Sequence, residues 1–302
     1  MSVDTPRLVC RPVRCWSHRL HRARGPRRAG RGRLLTALGV ALAAVGCAPP
    51  GPMAPPAAVA GLRHQRVLPG PPALTLSYLS SPTTDGPLVV MVHGTPGSAE
   101  GWSDYLLAPP QGVQVLAVDR PGFGHSGPDA ALPRLADQAA AVWALLPTDG
   151  RPVVLLGHSM GGPVVARVAA DHPARVQALV LLAAAMDPAL ETIHPMQHLG
   201  AWGPVRHWLP RAIRNANAEL MALKPELDDL ALRLPRITAK VVIVHGTLDD
   251  LVPVANVPYM QARLRGAACV HTVLLPGQNH FLPWNAVATV NEAVRLALEP
   301  TC

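Results

Sequence analysis

The chain has 302 residues, enough for one compact domain plus a leader or small insertion, and its 49% hydrophobic content excludes a disordered protein. Aromatic residues make up only 4%, so the core must be built mainly from Val, Leu and Ala. The formal charge of +8 is confined to one end: residues 1–46 carry ten Arg and one acid, Asp4, while the remainder holds 17 basic and 18 acidic side chains. That near-neutral body offers no basic face for phosphates, which excludes nucleic acid as a partner.

Residues 1–46 read as a signal or leader. Basic positions run to Arg33, an apolar stretch covers 34–45, and Gly46-Cys47 closes it. About a dozen residues are too few for a standard membrane-spanning helix and fit the apolar part of an export signal. Ala44-Val45-Gly46-Cys47 resembles a bacterial lipobox, which implies a lipid on Cys47 and a membrane anchor in the cell envelope. The alternative is a plain cleaved signal and a soluble secreted or periplasmic protein. Residues 47–60 are Pro-rich and read as an extended tether. Cys10 and Cys15 precede the apolar stretch and leave with the leader, so Cys269 and Cys302 remain. Cys269 opens a strand-like run and Cys302 follows a helix-like one, each about 20 Å long. A helix returning antiparallel along that strand would bring both sulfurs to one edge. A disulfide and two separate thiols both stay open.

Residues 61–302 form the main domain. The segments 63–68 and 74–79 read as an opening β-hairpin around a Pro-Gly-rich turn. Continuous apolar runs of β character follow at 88–92, 113–118, 153–156, 176–182, 240–244 and 270–275, the pattern of parallel strands buried on both faces. Helical stretches at 136–146, 160–171, 257–264 and 286–298 alternate with them, so the fold class is α/β, a mostly parallel central sheet flanked by helices. One segment, 187–236, breaks the rhythm. Its prolines at 188, 195, 204, 210, 225 and 235 are expected to cut it into short helices that form a lid.

The strongest chemical signal is Gly157-His158-Ser159-Met160-Gly161, placed between the strand 153–156 and a helix. A G-x-S-x-G at such a junction is a sharp turn that projects the serine hydroxyl, and the new helix offers its first amides to negative charge. A second motif, His93-Gly94-Thr95-Pro96-Gly97, directly follows the strand 88–92. Together these segments resemble the α/β-hydrolase superfamily, in the branch of small lid-bearing serine esterases, over about residues 87–298. The resemblance implies that Ser159 is the nucleophile and that the Thr95 and Met160 amides form an oxyanion hole. It also implies an acid in Gly246-Thr247-Leu248-Asp249, with Asp249 favoured over Asp250 and over the more distant Asp187. The base falls on His280 in the loop after the last strand.

The resemblance implies hydrolysis of a carboxylic ester through an acyl-enzyme on Ser159, with no cofactor. Ser rather than Asp at the elbow sets aside epoxide hydrolase and haloalkane dehalogenase chemistry, and Tyr78, Tyr105 and Tyr259 all lie outside the lid. Cofactor-free perhydrolase or haloperoxidase, C–C bond hydrolase and acyltransferase activities share the same triad and stay as alternatives, with a catalytically silent envelope binding protein as the non-enzyme reading. Met196, Leu199, Trp202, Trp208 and Leu209 in the lid point to a small-molecule substrate with an apolar acyl or aromatic group. His93, His158, Trp202, Trp208, Phe281 and Trp284 are the candidate pocket residues, the two histidines mainly orienting loops. The loop Asp119–Ser126 is expected to shape the pocket floor. No metal site is expected, because Pro195 interrupts the helical spacing of His194 and His198 and no H-E-x-x-H occurs.

Overall fold

The computed structural model describes residues 54–70, 73–82 and 86–302. The leader, Cys47 and the first part of the expected tether lie outside the described residues. The rest of that tether is not extended: Pro56–Val59 is a one-turn helix, α1, and Val59 is fully buried. A valine next to a proline turn gains more by entering the core than by staying in water.

Eight strands form one sheet. They are β1 (Arg63–Leu68), β2 (Leu74–Ser80), β3 (Leu88–Val92), β4 (Gln114–Val118), β5 (Val153–His158), β6 (Ala178–Leu182), β7 (Lys240–Gly246) and β8 (Val270–Leu275). Their order is β1-β2-β4-β3-β5-β6-β7-β8. β2 pairs antiparallel with β1 and β4, and the other pairs are parallel. The predicted hairpin and all six apolar runs are therefore present, and the parallel strands are fed by helices as βαβ connections require.

Successive strand residues serve opposite layers. Val90, Leu155, Leu179, Val241 and Ile243 pack toward α3 (Leu135–Trp143), α4 (Gly161–Asp171) and α8 (Asn256–Arg263). Val89, Val154, Val180, Val242 and Val244 pack toward α2 (Ser103–Leu107), α9 (Leu282–Asn285) and α10 (Val287–Leu298). Double burial explains why these strands read as unbroken apolar runs. The turn Ala99–Trp102 and α2 have no periodic signature and were not expected from the sequence.

The inserted segment is helical, with one correction. Prolines 188, 195 and 204 stand in the first turns of Pro188–Leu190, α5 (Pro195–Ala201) and α6 (Gly203–Trp208), where a missing N–H costs nothing. Pro225, however, does not cut the chain: α7 runs unbroken from Arg211 to Ala231. Its buried positions Ala216, Leu223, Leu227 and Leu230 form an apolar stripe that spans the proline, and packing along that stripe outweighs one lost backbone hydrogen bond.

Cys269 and Cys302 are joined, with their Cα atoms 6.1 Å apart. α10 packs across β5, β6 and β7, and beyond its end Thr301 accepts from Lys240 Nζ at the start of β7 at 2.6 Å, next to the strand that Cys269 precedes. The loop that the two cysteines close spans 33 residues. Cys302→Ser is expected to lower the unfolding free energy by about 3 kcal/mol. Urea denaturation of the two proteins measures the difference, and coincident midpoints would contradict the constraint.

Candidate active site

β5 ends at His158, and the chain turns into α4 through Ser159, which has a left-handed φ of 54°. An L-residue is strained there and needs its surroundings to hold it. The Ser159 amide donates to Leu182 O at 3.0 Å, and the Ser159 carbonyl accepts from Gly162 N–H at 3.0 Å. The glycines on either side have no room for a side chain: a Cβ on Gly157 would sit 2.3 Å from Gly161 O, and one on Gly161 would sit 2.2 Å from Val92 O. The loop after β3 approaches from the other side. A Cβ on Gly94 would meet Ser159 Cβ at 2.8 Å and Oγ at 3.3 Å. Thr95 and Met160 thus flank the serine. Neither amide donates a hydrogen bond among the described residues.

The loops after β7 and β8 carry the acid and imidazole candidates. Asp249 Oδ1 accepts from the amides of Leu251 and Val252 at 3.0 and 2.7 Å, which turns Oδ2 toward His280 Nδ1 at 2.8 Å. Both side chains are buried, whereas Asp250 is exposed. Asp187 lies elsewhere, capping the turn Pro188–Leu190 through Ala189 N–H at 2.9 Å. A His280 proton held on Nδ1 leaves Nε2 as the basic nitrogen. No hydrogen bond from Ser159 Oγ to His280 is formed among the described residues. The serine turn and the imidazole loop are instead linked through His158, whose Nε2–H donates to His280 O at 2.9 Å and whose ring lies 4.7 Å from the His280 ring.

Aromatic residues complete the imidazole loop. Trp284 stands edge-on to His158 at 5.7 Å, and Phe281 edge-on to His280 at 5.8 Å. Tyr105 donates to Pro283 O at 2.7 Å and Trp284 Nε1–H to Gly101 O at 3.1 Å, so α2 and the turn before it fasten this loop. Trp202 and Trp208 are not brought into the cluster. They are 61% and 85% exposed, because α5 and α6 lie on the surface with no fully buried residue.

A second buried group lies behind Gly94, and only part of it was expected. Arg120, fully buried, forms two hydrogen bonds to Glu219 on α7, at 2.7 and 3.0 Å. The same guanidinium donates to His93 O at 2.9 Å and Gly94 O at 2.8 Å. The loop Asp119–Ser126 is therefore more than a pocket floor. One signal for Glu219 existed: a carboxylate on the apolar stripe of α7, four residues before Leu223. Among the described residues no group of His, Cys, Asp and Glu is arranged to hold a metal ion.

The central histidines are held neutral. Burial, then the Arg120 charge, pushes His93 well below the ordinary imidazole range. Burial, then the neighbouring His280, lowers His158 to about 3, and burial lowers His245.

An eight-stranded sheet with a serine bend after β5, an acid after β7 and an imidazole after β8 defines a hydrolase fold with its polar residues at the carboxyl ends of the strands. Comparison agrees: residues 87–222 match the alpha/beta hydrolase fold family, and the chain belongs to it. It is 30% identical to the non-heme chloroperoxidase of Streptomyces lividans, over 60% of this chain and 80% of that one. It is 29% identical to the pimeloyl-[acyl-carrier protein] methyl ester esterase of Aeromonas hydrophila, over 59% and 83%. The solved monoacylglycerol lipase of Paleococcus ferrophilus has the same fold, with a TM-score of 0.59 at 19% identity over 74% of this chain and 96% of that one.

The buried histidines make stability depend on pH. Unfolded imidazoles protonate near 6.5, whereas folded His158 resists protonation down to about 3. Its contribution is complete above 6.5 and is lost as pH falls through that window, by about 1.4 kcal/mol per pH unit. His93 and His245 steepen the loss in the same direction. Urea unfolding at pH 7 and pH 5 should show this, and His158→Gln should flatten the dependence.

Proposed function

We propose that this hydrolase is a serine carboxylesterase of the lid-bearing kind, acting through Ser159, His280 and Asp249. The observation that carries this reading is the 2.8 Å contact between Asp249 Oδ2 and His280 Nδ1, in the loops adjoining a left-handed serine turn. Ser159 Oγ attacks the ester carbonyl carbon and passes its proton to His280 Nε2. Asp249 stabilises the imidazolium and keeps its orientation. The negative charge that develops on the carbonyl oxygen is met by the amides of Thr95 and Met160. Collapse expels the alcohol, which takes the proton from His280, and leaves an acyl group on Ser159. Water, deprotonated by His280, then releases the acid. The Ser159 Oγ to His280 Nε2 hydrogen bond forms when substrate occupies the site, as catalytic hydrogen bonds commonly do.

Phe281 and Trp284 beside the imidazole favour an apolar acyl or aromatic ester. Ester hydrolysis is also the activity in the name of the Aeromonas relative. The Streptomyces relative is named for chloroperoxidase activity, which makes peroxide chemistry on the same residues the second reading. We further assign residues 1–46 to an export signal and Cys47 to a lipid anchor in the bacterial envelope. The Cys269–Cys302 bridge supports export, since disulfides persist outside the cytoplasm. Among the described residues no helix is long and apolar enough to cross a membrane.

A fluorophosphonate probe should label the protein, and Ser159→Ala should remove both the label and hydrolysis of p-nitrophenyl esters. Asp249→Asn should lower kcat by about 10⁴-fold, while Asp250→Asn should stay within a few-fold of the parent. The opposite ranking would move the acid to Asp250. Bromination of a dye substrate with peroxide, acetate and bromide, faster than ester cleavage, would favour the second reading.

A further inference from the structure

We propose that Arg120 and Glu219 are positioning residues that orient the oxyanion hole, so that helix α7 of the lid sets the transition-state site through one peptide plane. The inference rests on the serine-esterase reading above.

The geometry is specific. In a planar trans peptide the carbonyl of one residue and the N–H of the next lie in one plane and point in opposite directions. The Gly94 carbonyl therefore shares its plane with the Thr95 N–H. Gly94 O accepts two hydrogen bonds, from Arg120 Nη2 at 2.8 Å and from His93 Nδ1 at 2.6 Å. His93 can donate from Nδ1 because its Nε2 accepts the Arg120 backbone N–H at 3.1 Å. The next carbonyl back, His93 O, is held by Arg120 Nε at 2.9 Å. Arg120 thus grips consecutive carbonyls of the loop and, through its own backbone, selects the histidine tautomer that completes the grip. Two donors on one carbonyl fix the direction of the Thr95 N–H and also polarise the peptide, which strengthens that donor.

Arg120 is itself held from the lid. Glu219 Oε1 accepts from Arg120 Nη1 at 2.7 Å and from Gln138 Nε2 at 2.9 Å, and Glu219 Oε2 accepts from Arg120 Nη2 at 3.0 Å. Arg120, Glu219 and Gln138 are all fully buried. A buried ion pair adds little stability compared with apolar residues of similar size, so its contribution here is one of orientation. With Glu219 removed, the guanidinium loses the partner that sets its plane, and its hold on His93 O and Gly94 O loosens.

The test uses the full chain, a p-nitrophenyl ester, and a trifluoromethyl ketone of the same acyl length, which forms an oxyanion on reaction with the serine. Glu219→Gln should lower kcat by about 30- to 100-fold and weaken the ketone by a matching factor, while KM changes less than about threefold. The double variant Arg120→Met with Glu219→Leu removes both charges, so it leaves no buried ion unpaired, and should show the same paired loss. Folded variants with wild-type kcat and ketone affinity would overturn the proposal. So would a loss of kcat or thermal stability with ketone affinity unchanged, because that is what a purely structural role produces. A wild-type protein that neither reacts with fluorophosphonate nor cleaves esters would remove the esterase reading itself, and this proposal with it.

Discussion

At Ser159 an L-residue holds a left-handed conformation at the end of a doubly buried strand, and the arrangement of the site follows from keeping it there. The strain of such a residue is on the order of 1–2 kcal/mol and persists only because neighbours over-determine the bend. Leu182 O, Gly162 N–H and the close-packed glycines at 157 and 161 supply that determination. The consequence is a hydroxyl raised above the sheet edge, facing the loop after β3. An ordinary strand end would turn the same side chain onto one face of the sheet, into a layer of helices.

Around this bend the polar groups form two buried sets on either side of the serine. One joins His158 at the end of β5 and His245 near the end of β7 to Asp249 and His280 in the loops after β7 and β8. The other joins His93, Arg120, Gln138 and Glu219 behind the loop after β3. Each member is desolvated and would be costly without its partners. Burial also keeps His93 and His158 uncharged, and among the described residues His280 is the imidazole whose Nδ1 meets a carboxylate. A protonated His158, 4.7 Å from His280, would repel the imidazolium that the proposed chemistry requires.

Much of this was legible in the residues. The apolar runs of β3 to β7 identified those strands, because burial on both faces leaves no polar alternation to confuse them, whereas β8 at the sheet edge is only half-buried and carries His271 and Thr272. The glycines around Ser159 marked the bend because close backbone approach admits no other residue. Other features were hidden for physical reasons. Pro225 reads as a helix breaker, yet the apolar stripe along α7 carries the helix through it. Trp202 and Trp208 read as pocket residues, and both are exposed, in or next to short helices that have no buried residue, a placement that composition does not reveal. Arg120 gave no sign of its partner, which lies 99 residues away.

Local sequence by itself determined where the chain extends, where it bends and which side chains could react, since backbone propensity and steric room act over a few neighbours. Only the tertiary structure decided which of two adjacent aspartates faces His280, which cysteines meet and which carboxylate holds Arg120. Those choices depend on hydrogen bonds and packing between segments distant in the chain, and such contacts exist only once the sheet has assembled.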